Sequence, residues 1–153
     1  MSLRKKLSAV LAACTVTIPL SAVVAQPAYA TGGTCGSGYN FLSSYPLRGY
    51  GSHYDTIGGY LSIYYNPSNG YNCAITRVKA AWDGKASYVY VFLGDGDSRS
   101  VRDPKLDSSA NYHYYAGPVK LYLKDQCVYA DGSLKYDGET YNTRDAAYGV
   151  HCG

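Results

Sequence analysis

The sequence predicts an all-β fold, a small antiparallel sandwich or barrel that is stapled by disulfides and preceded by a cleavable signal peptide. Three observations lead to this prediction. Several segments alternate between apolar and polar residues with the two-residue period of a strand. Turn-forming residues interrupt these segments about every eight to twelve residues, the spacing typical of sandwiches and barrels. Four of the five cysteines follow residue 30, an even number that suits disulfide pairing in an exported protein.

Residues 1–30 have the composition of a secretory signal peptide. A basic start with three Lys and Arg residues is followed by an uncharged apolar stretch, and small residues stand at the two positions that signal peptidase requires. We therefore expect the mature chain to begin at Thr31. Residues 31–153 are enough for a single secreted β domain with its own core, and too few for a second one.

Two alternatives to a cleaved signal peptide fit this segment less well. A transmembrane anchor needs about 20 uninterrupted apolar residues, whereas the run from Leu7 to Ala25 is broken by Pro19 and by several hydroxyl side chains. Residues 11–14 fit a bacterial lipobox, in which Cys14 would be lipidated. The apolar segment before that box is shorter than a signal peptide normally has, so cleavage is the favoured reading of the segment.

The first part of the mature chain predicts a short strand, a loop and a hairpin. Residues 39–44 alternate, and residues 46–59 are glycine-rich and indicate a loop. Residues 60–65 alternate clearly, with Leu61 and Ile63 on one side. The Asn-Pro-Ser-Asn-Gly turn that follows favours a return strand over residues 71–80.

The middle of the chain predicts a buried strand and a long polar segment. Residues 86–93 are apolar or aromatic on both faces, which is typical of a central strand. Residues 94–111 are rich in glycine and aspartate and indicate a surface loop with a short strand at 98–102.

The last third contains one more clear strand. Gly117-Pro118 is expected to turn or bulge the chain, and residues 119–123 alternate as a half-buried strand. Asp131-Gly132 indicates another turn, after which the chain is short and polar up to its last cysteine. No stretch after residue 30 keeps a helical period for about ten residues.

The four mature cysteines, Cys35, Cys73, Cys127 and Cys152, are expected to form two disulfides. Four cysteines allow three pairings. Cys35–Cys73 with Cys127–Cys152 is favoured, because each bridge would tie a terminal segment to a nearby predicted strand. A zinc site is disfavoured, because the sequence contains no Cys-x-x-Cys motif.

Removal of the signal peptide changes the charge. Three of the 14 Lys and Arg residues precede residue 31 and all 11 Asp and Glu follow it, so the mature chain has a formal net charge of zero. A chain without a basic excess does not suit nucleic acid. Low net charge favours association and adhesion, since little repulsion separates the copies.

No motif points to a metal or a cofactor. The segment from Asp95 to Arg99 begins like a calcium loop, which requires glycine at its sixth position and glutamate at its twelfth. Those positions hold Ser100 and Leu106. Ordinary turn chemistry is the favoured explanation of these aspartates, and we expect neither metal ligands nor a bound cofactor.

Catalytic chemistry is also weakly supported. His53, His113 and His151 are the only imidazole bases. There is no Gly-x-Ser-x-Gly elbow for a serine nucleophile, and the disulfides occupy the mature cysteines. With Glu139 as the only glutamate, a carboxylate pair would have to come from aspartates in turns. We therefore predict no catalytic residues, and a hydrolase remains a minor alternative.

The tyrosine content points to a binding surface. Eighteen of the 19 tyrosines follow residue 30, more than a core of this size can bury with satisfied hydroxyl groups. One interpretation, with no function attached, is that the tyrosines simply cover a two-sided sheet. The functional interpretation is a candidate binding face that contains Tyr60, Tyr64, Tyr88 and Tyr90 and holds sugar rings, wall polymer or another copy of the chain.

Short sequence blocks indicate a family. They are the opening Cys35-Gly36-Ser37-Gly38-Tyr39, the turn region 64–73, the segment 114–119 before the strand that reaches Cys127, and the ending His151-Cys152-Gly153. In these blocks the chain resembles spore-associated protein A and its secreted relatives in filamentous actinobacteria. The resemblance implies an exported protein found with aerial hyphae and spores, and brings no enzymatic activity or binding residues.

The function expected from these observations is that of a secreted, non-catalytic surface protein on spores or the cell envelope. Its expected partner is a cell-wall or spore-surface polymer or a second copy of itself, with no nucleic acid and no membrane after signal cleavage. An extracellular carbohydrate- or protein-binding module, such as a secreted inhibitor, is the first alternative. A small secreted hydrolase or antimicrobial toxin is the second.

Overall fold

The described part of the chain, residues 33–153 of a computed structural model, consists of antiparallel strands joined by turns. The predicted signal peptide at 1–30, the lipobox cysteine Cys14 and the expected mature start at Thr31 lie outside the described residues. The strands are β1 (Asn40–Arg48), β2 (Ile57–Asn66), β3 (Tyr71–Val78), β4 (Tyr88–Gly94), β5 (Ser100–Asp103), β6 (Tyr115–Tyr122), β7 (Tyr129–Tyr136) and β8 (Glu139–Asn142). Two short 3-10 turns, Gly51–His53 and Ala80–Trp82, connect them.

The strands form one sheet that curls into a nearly closed barrel. Their order is β5-β4-β7-β8-β1-β2-β3-β6, and the two edge strands β5 and β6 return to lie side by side. The predicted all-β class is confirmed, and of the two predicted architectures the structure has the barrel. None of the helices within residues 33–153 has the length and hydropathy to span a membrane.

The barrel interior is filled by alternate residues of the strands. In β2, Leu61 and Ile63 are fully buried, whereas Tyr60, Ser62 and Tyr64 on the opposite side keep some exposure. The predicted alternation of the hairpin is therefore confirmed. Aliphatic side chains from the other strands meet these two residues inside the barrel, and those without exposure include Leu47, Val89, Val91, Leu93 and Leu134.

A side-chain seam, rather than a ladder, joins the two edge strands. Within the described residues β5 and β6 share no ladder of backbone hydrogen bonds. Instead, the Asp103 carboxylate at the end of β5 accepts hydrogen bonds from the Gly117 amide of β6 at 2.7 Å and from the Tyr112 hydroxyl at 2.9 Å. Because Pro118 has no N–H to donate, this carboxylate supplies a connection that the backbone cannot make there.

Arg99 closes the other end of the seam. Its guanidinium donates to the Tyr122 carbonyl at the end of β6 at 3.3 Å, and also contacts the Gln126 side chain. The Asp95 carboxylate holds Arg99 in place through an ion pair of 2.8 Å. Hydrogen bonds from the Asp97 amide and the Arg99 guanidinium lower the pKa of Asp95 to about 2.

The depressed pKa of Asp95 predicts an acid-sensitive contribution to stability. The ionised carboxylate stabilises the fold fully above its unfolded pKa of about 4, and this contribution is lost as the pH falls through about 2. The variant Asp95→Asn should therefore melt at a lower temperature than the natural chain at pH 7. The difference should shrink between about pH 4 and pH 2. Melting curves recorded across this range would test it.

The control for this experiment is Asp97→Asn, because Asp97 is exposed and contributes its backbone amide to Asp95. Its melting temperature should follow that of the natural chain at every pH. A constant gap between Asp95→Asn and the natural chain from pH 7 down to pH 2 would contradict the role of the ionised carboxylate.

Both disulfides have the favoured pairing. Cys35 is bonded to Cys73 on β3, with the two Cα atoms 6.0 Å apart, and Cys127 is bonded to Cys152 near the C-terminus. Cys73 has no exposed surface and Cys35 retains 4%. The first bridge thus fixes the N-terminal segment against the outside of the barrel.

The loop predicted over residues 46–59 is shorter than expected. Pro46 lies within β1 opposite Tyr60 of β2, where a proline is tolerated because β1 pairs with its other neighbour, β8, only at Arg48. Gly59 belongs to β2, and a Cβ there would lie 2.2 Å from the Arg77 carbonyl oxygen. This glycine serves close packing of two strands, so it does not mark a loop.

The turn predicted at Asp131-Gly132 is also wrong. Both residues lie within β7, and a Cβ on Gly132 would lie 2.6 Å from the Thr76 hydroxyl oxygen inside the barrel. The chain turns instead at Asp137-Gly138, where both residues have positive φ, and β8 returns along β7. Asp-Gly with two positive φ angles is the typical sequence of a tight hairpin turn.

Three further local predictions agree with the structure. The short strand expected within the polar segment is β5, and the strand expected over residues 86–93 is β4, which is paired on both sides. Opposite Gly117-Pro118 the register of β3 and β6 shifts between Ala74 and Thr76, which is the expected bulge.

Candidate functional site

The outer surface of four adjacent strands, β1, β2, β3 and β6, carries a cluster of aromatic side chains. The register places Phe41 opposite Tyr64 and Tyr71 opposite Tyr122, all on the side that faces away from the barrel interior. We call this cluster the aromatic face. Its members are Tyr39, Phe41, Tyr64, Tyr71 and Tyr122.

Three rings of the aromatic face are open to solvent. Phe41, Tyr71 and Tyr122 are 52%, 40% and 45% exposed. The Phe41 and Tyr64 rings meet edge to face with centroids 5.6 Å apart, and those of Tyr71 and Tyr122 meet likewise at 5.7 Å. Edge-to-face pairing holds each ring in a defined orientation, so the aromatic face offers ordered rings to a ligand.

The N-terminal segment completes the aromatic face. The disulfide to Cys73 brings Cys35 onto the outside of β3, and the segment that follows packs Tyr39 against the buried cluster of Cys35, Cys73 and Ile75. Burial raises the pKa of Tyr39, and electrostatic repulsion from Tyr71 raises it further. The Lys120 ammonium of β6 lies 4.9 Å from the centroid of the Tyr39 ring, a cation–π contact.

The four tyrosines proposed from the sequence form two separate pairs. Tyr60 and Tyr64 lie on the outside of β2 and line a shallow pocket of about 220 Å³ with Ser62, Ile75 and Arg77. Tyr88 and Tyr90 lie on β4 with parallel rings whose centroids are 6.3 Å apart. Because β4 and β2 are four positions apart in the sheet, roughly 19 Å along it, the pairs do not make one continuous surface.

The structure adds residues that the sequence reasoning did not single out as a site. These residues of the outer surface are Phe41, Tyr71, Lys120 and Tyr122. The one sequence signal that could have indicated their outward position is the alternation within the predicted strands. Lys120 and Tyr122 do alternate with the inward-facing Val119. What no local pattern records is that β1 and β6 lie on either side of the β2–β3 hairpin.

The three histidines lie in separate places. His53 is exposed in the turn before β2, and the Nδ1 atom of His113 donates to the Ala86 carbonyl at 2.5 Å. The Nε2 atom of His151 is 2.7 Å from the Ser43 hydroxyl. Within residues 33–153 none of the three has a hydrogen bond to a carboxylate that would orient it as a base.

The aspartate-rich turn at 95–99 uses its carboxylate internally. Asp95 accepts hydrogen bonds from the amides of Asp97 and Arg99 and from the Arg99 guanidinium. These contacts are those of an ordinary turn stabilised by an aspartate side chain. No group of three or more potential metal ligands occurs within residues 33–153.

Comparison with known proteins gives one informative similarity. The chain is 29% identical over 139 residues to Spore-associated protein A of Streptomyces coelicolor, an alignment that covers 90% of this chain and 77% of that protein. No family model and no solved structure matches the chain. The alignment confirms the resemblance that the short sequence blocks predicted, and the chain is similar to spore-associated protein A.

Proposed function

We propose that this protein acts without catalysis at the surface of the cell or spore, where it adheres to wall polymer through the aromatic face. The observation that carries the proposal is the gathering of exposed rings on one side of the barrel. Phe41, Tyr71 and Tyr122 are open to solvent on β1, β3 and β6, which belong to one run of four neighbouring strands. Exposed apolar clusters of this kind are typical of binding surfaces.

Two further observations support adhesion. The barrel interior is filled by aliphatic side chains, so a ligand would be bound on the outside. The name of the related protein places that protein with spores, which fits export followed by retention at a surface. Self-association through the same rings is a second candidate, favoured by the zero formal charge of residues 31–153.

The alternative functions would use either the same aromatic face or residues elsewhere on the barrel. A carbohydrate- or protein-binding module, such as a secreted inhibitor, would also use exposed rings. A hydrolase or antimicrobial toxin would use the His151–Ser43 contact, in which the imidazole has no orienting carboxylate partner among residues 33–153. Adhesion is therefore the preferred function.

A retention assay tests adhesion. Replacing Tyr71 and Tyr122 together by serine removes one exposed ring pair from the aromatic face. We expect retention on isolated spores or insoluble cell wall to fall about tenfold, because an exposed ring pair at an interface contributes roughly 1.4 kcal/mol. Chitin and cellulose serve as further solid supports, and the amount bound is measured after washing.

The matched control replaces Tyr54 and Tyr148 by serine. These rings are similarly exposed, at 53% and 44%, and lie outside the four strands of the aromatic face. Retention of this control should equal that of the natural chain. Equal losses in both variants, or no retention of the natural chain on any wall or spore material, would refute adhesion through the aromatic face. Sedimentation of both variants separates adhesion from self-association.

A further inference from the structure

Charge is distributed unevenly around the barrel although residues 31–153 have a formal net charge of zero. None of the residues in β1, β2, β3 and β6 is an aspartate or glutamate, and these strands contain Arg48, Arg77 and Lys120. The acidic strand residues lie in the other half of the barrel, at Asp103, Asp131 and Glu139. The aromatic face therefore lies on the half of the barrel whose strands lack carboxylates.

Two of these cations stand beside aromatic rings on the outer surface. The Lys120 ammonium is 4.9 Å from the Tyr39 ring centroid, and the Arg77 guanidinium is 5.3 Å from that of Tyr115. Lys120 is exposed and forms no ion pair with any residue in the range 33–153. Because a ring rather than a carboxylate positions this ammonium, its charge is available to an external anion.

The spacing of ring and cation restricts the ligand. Lys120 and Tyr122 lie two residues apart on the outer side of β6, roughly 7 Å along the strand. A sugar ring stacked on Tyr122 could therefore bring an acidic group of the same sugar close to the Lys120 ammonium. A uronic acid residue bears its carboxylate directly on the ring and meets both requirements at once. The pocket of about 220 Å³ beside Tyr60 and Tyr64 repeats the combination, since Arg77 lines it too.

We propose that the aromatic face binds acidic polysaccharide, specifically a polymer that contains uronic acid residues. This inference rests on the proposed adhesive function and names the class of polymer. The rings supply contact area for the sugars, and the exposed Lys120 ammonium supplies the attraction for the carboxylates. A neutral polysaccharide would make only the first kind of contact.

Binding to soluble polymers tests the inference. The natural chain should bind polygalacturonate more tightly than dextran of similar length, and added salt should weaken the binding to polygalacturonate. The variant Lys120→Gln should weaken it about two- to fivefold, the range expected for one exposed ion pair. Lys120→Arg, which keeps the charge, should restore most of the affinity. Isothermal titration gives the dissociation constants.

The matched control is Lys135→Gln, an exposed lysine on β7 in the opposite half of the barrel. Its affinity for polygalacturonate should equal that of the natural chain. Equal affinity of the natural chain for dextran and polygalacturonate would overturn the inference, as would the same loss in Lys135→Gln as in Lys120→Gln.

A second arm identifies the source of the negative charge in the natural wall. Chemical reduction of wall carboxyl groups should abolish most of the retention, whereas hydrofluoric acid, which removes phosphodiester-linked polymers, should leave it intact. The opposite result would overturn the uronic acid assignment. Retention that depends on Tyr71 and Tyr122 but not on Lys120 or on wall carboxyl groups would refute this inference and leave the adhesive function standing.

Discussion

Replacing both Cys35 and Cys73 by alanine is expected to lower the free energy of unfolding by about 4 kcal/mol. The two cysteines are 38 residues apart in the sequence, and closing a loop of that length removes much conformational entropy from the unfolded chain. Domains of this size are stable by only about 5–15 kcal/mol. The bridge is therefore expected to decide whether the barrel remains folded under moderate stress.

The buried position of this bridge adds a functional consequence. It holds the N-terminal segment on the outside of β3, where Tyr39 packs against the cluster that contains Cys35 and Cys73. Without the bridge, Tyr39 would be fixed only by its contacts, and Lys120 would lose the ring that positions it. The variant should thus bind wall polymer less well even at temperatures where the barrel is folded.

Urea unfolding and the retention assay measure the two effects. The control replaces Cys127 and Cys152 by alanine, which opens a bridge of sequence separation 25 and should cost about 3.5 kcal/mol. This control should retain wall binding while folded, because its bridge lies outside the aromatic face. Identical losses of binding in both variants, or an unchanged stability of Cys35→Ala/Cys73→Ala, would contradict the prediction.

The second large effect is expected at the barrel seam. Asp103→Ala should lower the free energy of unfolding by about 2–4 kcal/mol, because two hydrogen bonds to an ionised group are lost. The Gly117 amide and the Tyr112 hydroxyl would lose their acceptor together. Since β5 and β6 share no backbone ladder in the described range, little else would hold the two edges together at this end of the seam.

Two measurements locate this loss at the seam. Exchange of the Gly117 amide hydrogen should accelerate in Asp103→Ala, because its acceptor is gone. The hydrogen bond to Asp103 raises the pKa of Tyr112, since the carboxylate favours the protonated phenol. The pKa of Tyr112 should therefore fall toward its ordinary value in the variant. Ring-carbon NMR signals of tyrosine follow this titration.

Asp107→Ala is the control, because Asp107 is exposed in the loop between β5 and β6. Its stability should stay within about 0.5 kcal/mol of that of the natural chain. If the Gly117 amide in Asp103→Ala is as well protected as in the natural chain, the carboxylate does not hold the seam.

Local patterns were sufficient for the elements that depend on neighbouring residues. Leu61 and Ile63 alternate with Tyr60 and Tyr64, and this period is the same in the sequence as in β2. The favoured disulfide pairing, in which each bridge ties a terminal segment to a nearby strand, is the one observed. The two loop or turn predictions that were wrong both depended on a glycine. Gly59 and Gly132 read as turn residues, yet each allows another part of the barrel to approach closely.

The candidate site could be predicted only in part. A surplus of tyrosine indicated exposed rings, and Tyr64 does belong to the aromatic face. Tyr88 and Tyr90, which have the same local pattern on β4, lie elsewhere. Phe41 lies on β1, before the hairpin in the sequence, and Tyr122 lies on β6, well after it. Only the order of the strands in the sheet brings these two residues near Tyr64 and Tyr71.

The sequence by itself determined the all-β class, the strands of the hairpin and the number of disulfides, because period and cysteine number are properties of short stretches and of composition. Only the tertiary structure decided that the sheet closes into a barrel through Asp103 and that β1 and β6 flank the hairpin. It also decided that the four strands without a carboxylate, β1, β2, β3 and β6, lie next to one another. These features arise from pairing between strands far apart in the chain. A net charge or a residue count sums over the whole surface, so neither can show which half of the barrel has strands without carboxylates.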